Sequence, residues 1–159
     1  MRVSGVLDKE HIIAELEAQE KREVLDEMAA LLSITVEGLK QENLVELLLE
    51  REKLGSTGIG HGVAIPHAKV EGIDSIVVAL ARSRRGVDFD SMDAEPVHIF
   101  FLIIAPESAM TNHLKILSGI SSLLKDEEFR ERLMSAKDGD AMLKVVIDEE
   151  SRQKKGMIA

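Results

Sequence analysis

The chain has no cysteine, no tryptophan and no tyrosine, and only four phenylalanines in 159 residues. Without cysteine there are no disulfides, no thiolate metal sites and no thiol nucleophiles, a usage consistent with a cytoplasmic location. The shortage of aromatic rings leaves little to stack on unpaired bases. The charge balance, 29 acidic residues against 20 basic and a net charge of −9, opposes the basic footprint that nucleic acid requires. The local cluster Arg82, Arg84 and Arg85 does not reverse that balance, so no nucleic-acid partner is expected. No apolar run reaches the roughly 20 residues that span a bilayer. The longest, Val97 to Ala105, contains His98 and suits a buried strand, so direct membrane insertion is not expected either. The N-terminus lacks the basic, apolar and small-residue succession of a secretory leader. The acidic surplus keeps the chain soluble and would steer a basic partner.

Apolar residues make up 45% and charged residues 31% of the chain, the balance of a soluble globular protein. The length suits a single domain, expected over residues 1–150, with a polar, frayed tail over 151–159. Helical spacing of Val24, Leu25, Met28, Leu31 and Leu32 predicts a helix from Lys21 to Leu32. A second helix is predicted from Val36 to about Leu54, capped by Thr35, with Leu39, Leu44, Leu47 and Leu48 as its buried stripe and Gly55 ending it. Partial alternation over 11–16 and the short Val63–Ile65 segment read as strands. Ser75–Arg82 and Val97–Ile104 are apolar on both faces, as strands covered on both sides are. Residues 84–95 read as a connection, with a small hairpin at Gly86–Phe89. Helices are predicted over Ala109–Leu124, Glu127–Met134 and Asp140–Asp148. Helices before, between and after two-sided strands make the fold class α/β: a compact sandwich with a central sheet flanked by helices.

The segment Ser56-Thr57-Gly58-Ile59-Gly60-His61-Gly62-Val63-Ala64-Ile65-Pro66-His67 concentrates glycines, a proline and histidines. Pro66 fixes its own φ and biases Ile65 toward extended backbone, so His67 is presented in a defined direction. A neutral imidazole nitrogen attacks phosphorus well and leaves well once phosphorylated. With an ordinary pKa near 6.5, roughly three-quarters of such groups are neutral at pH 7. Gly58, Gly60 and Gly62 would let backbone N–H groups approach an anion. Arg51, in the last turn of the second predicted helix, would supply a forked guanidinium contact. Phosphoryl transfer rests on this kind of positioning and charge stabilisation. The glycines follow a helix and carry no Gly-Lys-Ser/Thr, so neither the dinucleotide fingerprint nor the P-loop is present. His113 begins a helical face and is a candidate second imidazole. A zinc site from His61, His67 and His113 fits ligand spacing poorly, and no metal is expected. His61 is expected to point to solvent, His98 to sit at the edge of the core, and His11 to be structural or exposed.

Taken in order, Arg51, Ser56 to His67, Gly86-Val87-Asp88-Phe89-Asp90, Val97 to Pro106 and His113-Leu114 with Leu117 resemble the type-2 EIIA proteins of the bacterial phosphotransferase system. This is the fructose, mannitol and nitrogen-regulatory class, and the similarity covers about residues 5–147. The resemblance implies a compact α/β sandwich around a mixed sheet. It implies that His67 accepts a phosphoryl group from an HPr-type carrier, as a tele-phosphohistidine, and passes it to an EIIB domain. It further implies that His113 supports the phosphorylated state, that Arg51 stabilises the phosphate, and that Ser56, Thr57, Gly58, Gly60 and Gly62 line the substrate-binding loop. No cofactor is implied. The residues at hand contain one such domain, which favours the alternative purpose: a nitrogen-type regulator that binds partners according to its phosphorylation state.

Overall fold

Two long strands, β5 (Val77–Val87) and β6 (Val97–Ala105), pair antiparallel at the centre of the computed structural model, which describes residues 2–158. Their double-sided apolarity has the cause the sequence suggested. Ala79, Ala81, Phe100, Leu102 and Ile104 face one core cluster, and Val78, Leu80, Phe101 and Ile103 face the other. The first cluster lies under α1 (Lys21–Thr35) and α2 (Gln41–Lys53). The second lies under α3 (Met110–Leu124), α4 (Glu127–Ser135) and α5 (Gly139–Ile158). Each buried Phe or Leu contributes roughly 1.5–3 kcal/mol to this two-sided core.

Four shorter strands complete the sheet: β1 (Leu7–Ile13), β2 (Gly58–Gly60), β3 (Val63–Ala64) and β4 (His67–Lys69). The order is β1-β5-β6-β3-β2, with β4 also on β6. β1 runs parallel to β5, and β3 and β4 parallel to β6, whereas β5–β6 and β2–β3 are antiparallel. The α/β sandwich with a mixed sheet is therefore the observed architecture. β3 and β4 follow one edge of β6 in succession, Val63 opposite Ile99 and His67 opposite Ile103. Ile65-Pro66 divides them because proline has no N–H for the ladder, while its carbonyl accepts from Ile103 N–H at 2.9 Å.

Several predicted boundaries move, each for a local reason. Thr35 is the last residue of α1 and not the cap of the next helix; its hydroxyl bonds the ring of His11 at 2.6 Å. α2 starts at Gln41, after a turn through Gly38 at φ 85. β1 begins at Leu7, before the predicted segment, because residues 7–13 pair with β5. β5 continues to Val87 and takes up part of the expected connection, its register with β6 shifting between Arg82 and Val87. α5 runs on past Asp148 to Ile158, taking in the segment expected as a polar tail except residue 159, which lies outside the described residues. Fully buried Glu149 draws it on by pairing with Arg132 at 2.8 Å and with Arg152 at 2.5 Å. Arg152 also pairs with Asp126, the residue whose side chain caps α4.

The cluster Arg82, Arg84 and Arg85 is not a basic patch. Arg82 is fully buried and donates to the carbonyls of Ala14, Leu133 and Ala136. The last two close the C-terminal end of α4, where a cation is favoured. Arg84 pairs with Glu15.

Candidate active site

His67 opens β4 on the strand edge just after Pro66, and its ring is held from two sides. Nδ1–H donates to the carbonyl oxygen of Ile65 at 2.8 Å. Arg51 Nε–H donates to Nε2 at 3.3 Å. A carbonyl can only accept and a guanidinium can only donate. Both contacts therefore select the same tautomer, with the proton on Nδ1 and the lone pair on Nε2.

Arg51 comes from the last turn of α2, and its Nη1 is tied to the Gly55 carbonyl at 2.9 Å. His113 comes from the first turn of α3 and meets His67 edge-on, ring centroids 5.7 Å apart at 74°. His113 is 5% exposed, and neither ring nitrogen has a hydrogen-bond partner within the described residues. The structure thus brings together Arg51, His67 and His113, which lie far apart in the chain.

Burial, and after it the neighbouring His67 and Lys69, push the His113 pKa below the usual imidazole value. Burial moves His11 the same way, against Asp8 and Glu10. Unfolding frees both imidazoles to titrate near 6.5. Below that pH the unfolded chain binds protons that the folded chain refuses. Stability is thus complete above the free imidazole value and declines as pH falls below it. Urea unfolding of the wild type is expected to give a lower free energy at pH 5.5 than at pH 7.5. The difference is expected to shrink in His113→Gln, and an undiminished difference would remove His113 from this account.

The loop glycines lie elsewhere. Thr57 and Ile65 pair backbone to backbone at 3.0 Å, and β2 and β3 form a hairpin closed by His61 at φ 56 and Gly62 at φ 75. Positive φ at both central residues is the signature of a two-residue type I′ turn, which explains the glycine at 62. A Cβ on Gly58 would lie 2.8 Å from Ser91 Oγ. Gly60 approaches Asp93 and Gly62 approaches His98. None of the three lines the cavity at His67. Ser56 Oγ accepts from Gly58 N–H at 3.0 Å, and buried Thr57 binds Glu52. These residues hold the hairpin in place. His61 is exposed at the turn, and His98 Nδ1–H donates to Ser83 O at 2.8 Å at the rim of the core. No three His, Asp or Glu side chains among the described residues are placed to hold a metal ion.

The cavity of about 540 Å³ beside His67 has residues that sequence reading assigned differently or overlooked. Leu47, placed in the buried stripe of α2, is 39% exposed, and Leu114 on α3 is 60% exposed. Leu54 is 83% exposed. All three surround Arg51, His67 and His113, together with Met110 and Leu117. The spacing that puts them beside Arg51 and His113 was visible: 47, 51 and 54 on one helix face, and 110, 113, 114 and 117 on another. What that face meets was not visible. Lys69 adds a cation on the same side of β4 as His67, two positions on.

A family model described as "Phosphoenolpyruvate-dependent sugar phosphotransferase system, EIIA 2" matches residues 5–149. A nitrogen regulatory protein of Bradyrhizobium diazoefficiens is 38% identical over 146 residues, covering 92% of this chain and 95% of that protein. A fructose-specific EIIABC component of Bacillus subtilis is 39% identical over 146 residues, which is 92% of this chain but only 23% of that larger protein. Among solved structures, the nitrogen regulatory protein IIA-Ntr from Neisseria meningitidis matches with a TM-score of 0.85 at 33% identity, covering 91% of this chain and 98% of that one. With the family match spanning the sheet, all of α1 to α4 and most of α5, the chain belongs to the type-2 EIIA family of the phosphoenolpyruvate-dependent phosphotransferase system.

Proposed function

We propose that His67 accepts a phosphoryl group from a phosphorylated HPr-type carrier and passes it to an EIIB domain or holds it as a signal. The carrying observation is the tautomer: Nε2 keeps its lone pair because Nδ1–H is committed to Ile65 O. In the transfer the Nε2–P bond forms as the carrier–P bond breaks, giving a tele-phosphohistidine, and the Nδ1 proton stays in place. Arg51, which donates Nε–H to that lone pair at 3.3 Å, gives up the bond as phosphorus approaches and then faces the phosphoryl oxygens, offsetting their charge. Buried His113, with both nitrogens unengaged, can donate one N–H to the same group. The reaction needs no cofactor, since the phosphoryl group arrives already activated on the carrier. Exposed Leu47, Leu54 and Leu114 around the imidazole give a partner protein an apolar surface to seat on. We assign this relay to the cytoplasm.

The experiment is incubation with the phosphorylated carrier, followed by mapping of an acid-labile phosphate by mass spectrometry. Label on His67 is the expected result; label elsewhere or none would refute the assignment.

A second reading follows from the relative of similar length. The Bradyrhizobium nitrogen regulatory protein is matched over 95% of its extent, whereas the fructose component is matched over 23%. A regulator would use the roughly −1.5 to −2 charges of the phosphate to make or break a docking surface over these leucines. The readings separate in the second step of the same assay. Onward transfer to a sugar-specific EIIB supports uptake, and retention of label in its presence supports regulation.

A further inference from the structure

Glu52 is the residue after Arg51, and its placement is costly. It carries a negative charge in the last turn of α2, where the helix dipole disfavours one, and its side chain is only 3% exposed. A buried carboxylate needs partners to persist, and this one has three groups. Lys21 Nζ lies 3.0 Å from Oε1. Thr57 N–H donates at 3.2 Å to Oε1 and 3.3 Å to Oε2, and the Thr57 hydroxyl donates a short hydrogen bond to Oε2. Lys21 is itself seated over the Phe89 ring, 4.8 Å from its centroid.

This arrangement ties the start of the hairpin back to α2 and closes the turn through Leu54, Gly55 and Ser56. Inside that turn, Gly55 N–H bonds Glu52 O at 3.1 Å, and the Gly55 carbonyl accepts Arg51 Nη1 at 2.9 Å. The Gly55 carbonyl is therefore an anchor for the guanidinium. With Nη1 held there, Nε points at His67 Nε2, and Nη2 makes no hydrogen bond among the described residues. Consecutive helical residues project about 100° apart, so Arg51 reaches the imidazole while Glu52 turns inward to fix the turn.

We propose that Glu52, with Thr57 and Lys21, is a positioning residue: the buried carboxylate fixes the Gly55 carbonyl, which aims the Arg51 guanidinium at Nε2 of His67. The inference rests on the phosphocarrier reading for its kinetic consequence, but its geometric part stands apart from it. Thr57→Val removes the hydroxyl at nearly constant volume. It is expected to lower kcat for phosphoryl uptake about tenfold, the scale of one hydrogen bond to a charged group, with KM for the phosphorylated carrier unchanged. Thr57→Ser is expected to restore the rate. In an Arg51→Ala background, Thr57→Val is expected to have no further effect on kcat, because the group it positions is gone.

A lower melting temperature with unchanged kcat, or an equal rate loss in both backgrounds, would overturn the proposal and leave Glu52 a purely structural residue. Glu52→Gln carries the same comparison should Thr57→Val fail to fold. A readout free of any phosphoryl donor separates the positioning from the phosphoryl transfer. Nitrogen-resolved NMR of the unphosphorylated protein is expected to show the Arg51 Nε–H protected from exchange in the wild type and exposed in Thr57→Val. That result with no phosphoryl uptake by the wild type would sustain the positioning and sink the phosphocarrier reading. Normal uptake with Arg51 Nε–H equally protected in both proteins would do the reverse.

Discussion

Substitution of His67 by alanine is expected to reduce phosphoryl acceptance from a phosphorylated HPr-type carrier to background. Of Arg51, His67 and His113, it alone presents a nitrogen lone pair of defined direction. Nδ1–H is bonded to Ile65 O at 2.8 Å, which leaves the lone pair on Nε2. His113 is no substitute: it is 5% exposed, and no hydrogen bond among the described residues fixes which of its ring nitrogens carries the lone pair. The half-buried position of His67 means that the alanine variant stays folded, at a cost of roughly 1 kcal/mol, typical of single substitutions. Acid-labile phosphate is measured by intact-mass spectrometry on wild type and variant, with thermal unfolding as the control. A folded variant that still takes up a full equivalent would end the assignment of His67.

The second large effect is expected at Arg51. Arg51→Lys keeps the charge but loses the fork. The guanidinium holds Gly55 O with Nη1 and reaches His67 Nε2 with Nε; an ammonium cannot span both in one fixed plane. Removing a preorganised donor aimed at developing charge costs about 10²-fold to 10³-fold in kcat when the donor is lost outright. Since the lysine keeps the positive charge nearby, the expected loss is smaller, about 10-fold to 10²-fold. Stability is expected to change little, because only two hydrogen bonds near the surface are altered. Rapid-quench transfer kinetics against urea unfolding distinguishes the two effects. An unchanged transfer rate would remove Arg51 from the chemistry and leave it as a partner of the Gly55 carbonyl.

Elements governed by local rules were legible before the fold was known. The two-sided apolar strands announced a sheet covered on both faces, and helix periodicity placed α1, α3 and α4 within a few residues. Boundaries failed where a tertiary partner overrode the local pattern. Thr35 looked like a cap but ends α1 against His11, and α5 continues because Glu149 pairs with Arg132 and Arg152. The glycines of the 58–62 segment read as an anion cradle, but the pairing of β2 with β3 turns them into a hairpin packed on Ser91, Asp93 and His98. Its place in the last turn before the loop made Arg51 a candidate, but only the family resemblance linked His113 to His67.

What the amino-acid order determined by itself is local. The Ile65-Pro66-His67 succession presents the imidazole at a break in an edge strand, and apolar periodicity decides which faces are covered. Proximity was decided by the tertiary structure. β4 lies on β6 between the end of α2 and the start of α3, and only that arrangement brings a guanidinium to Nε2 and a buried second imidazole against the His67 ring. The same arrangement leaves Leu47 and Leu114 exposed at the cavity while Leu48 and Ile116 are buried. The physical reason is that periodicity specifies the direction of a side chain relative to its own backbone. What stands in that direction depends on how distant segments share one sheet.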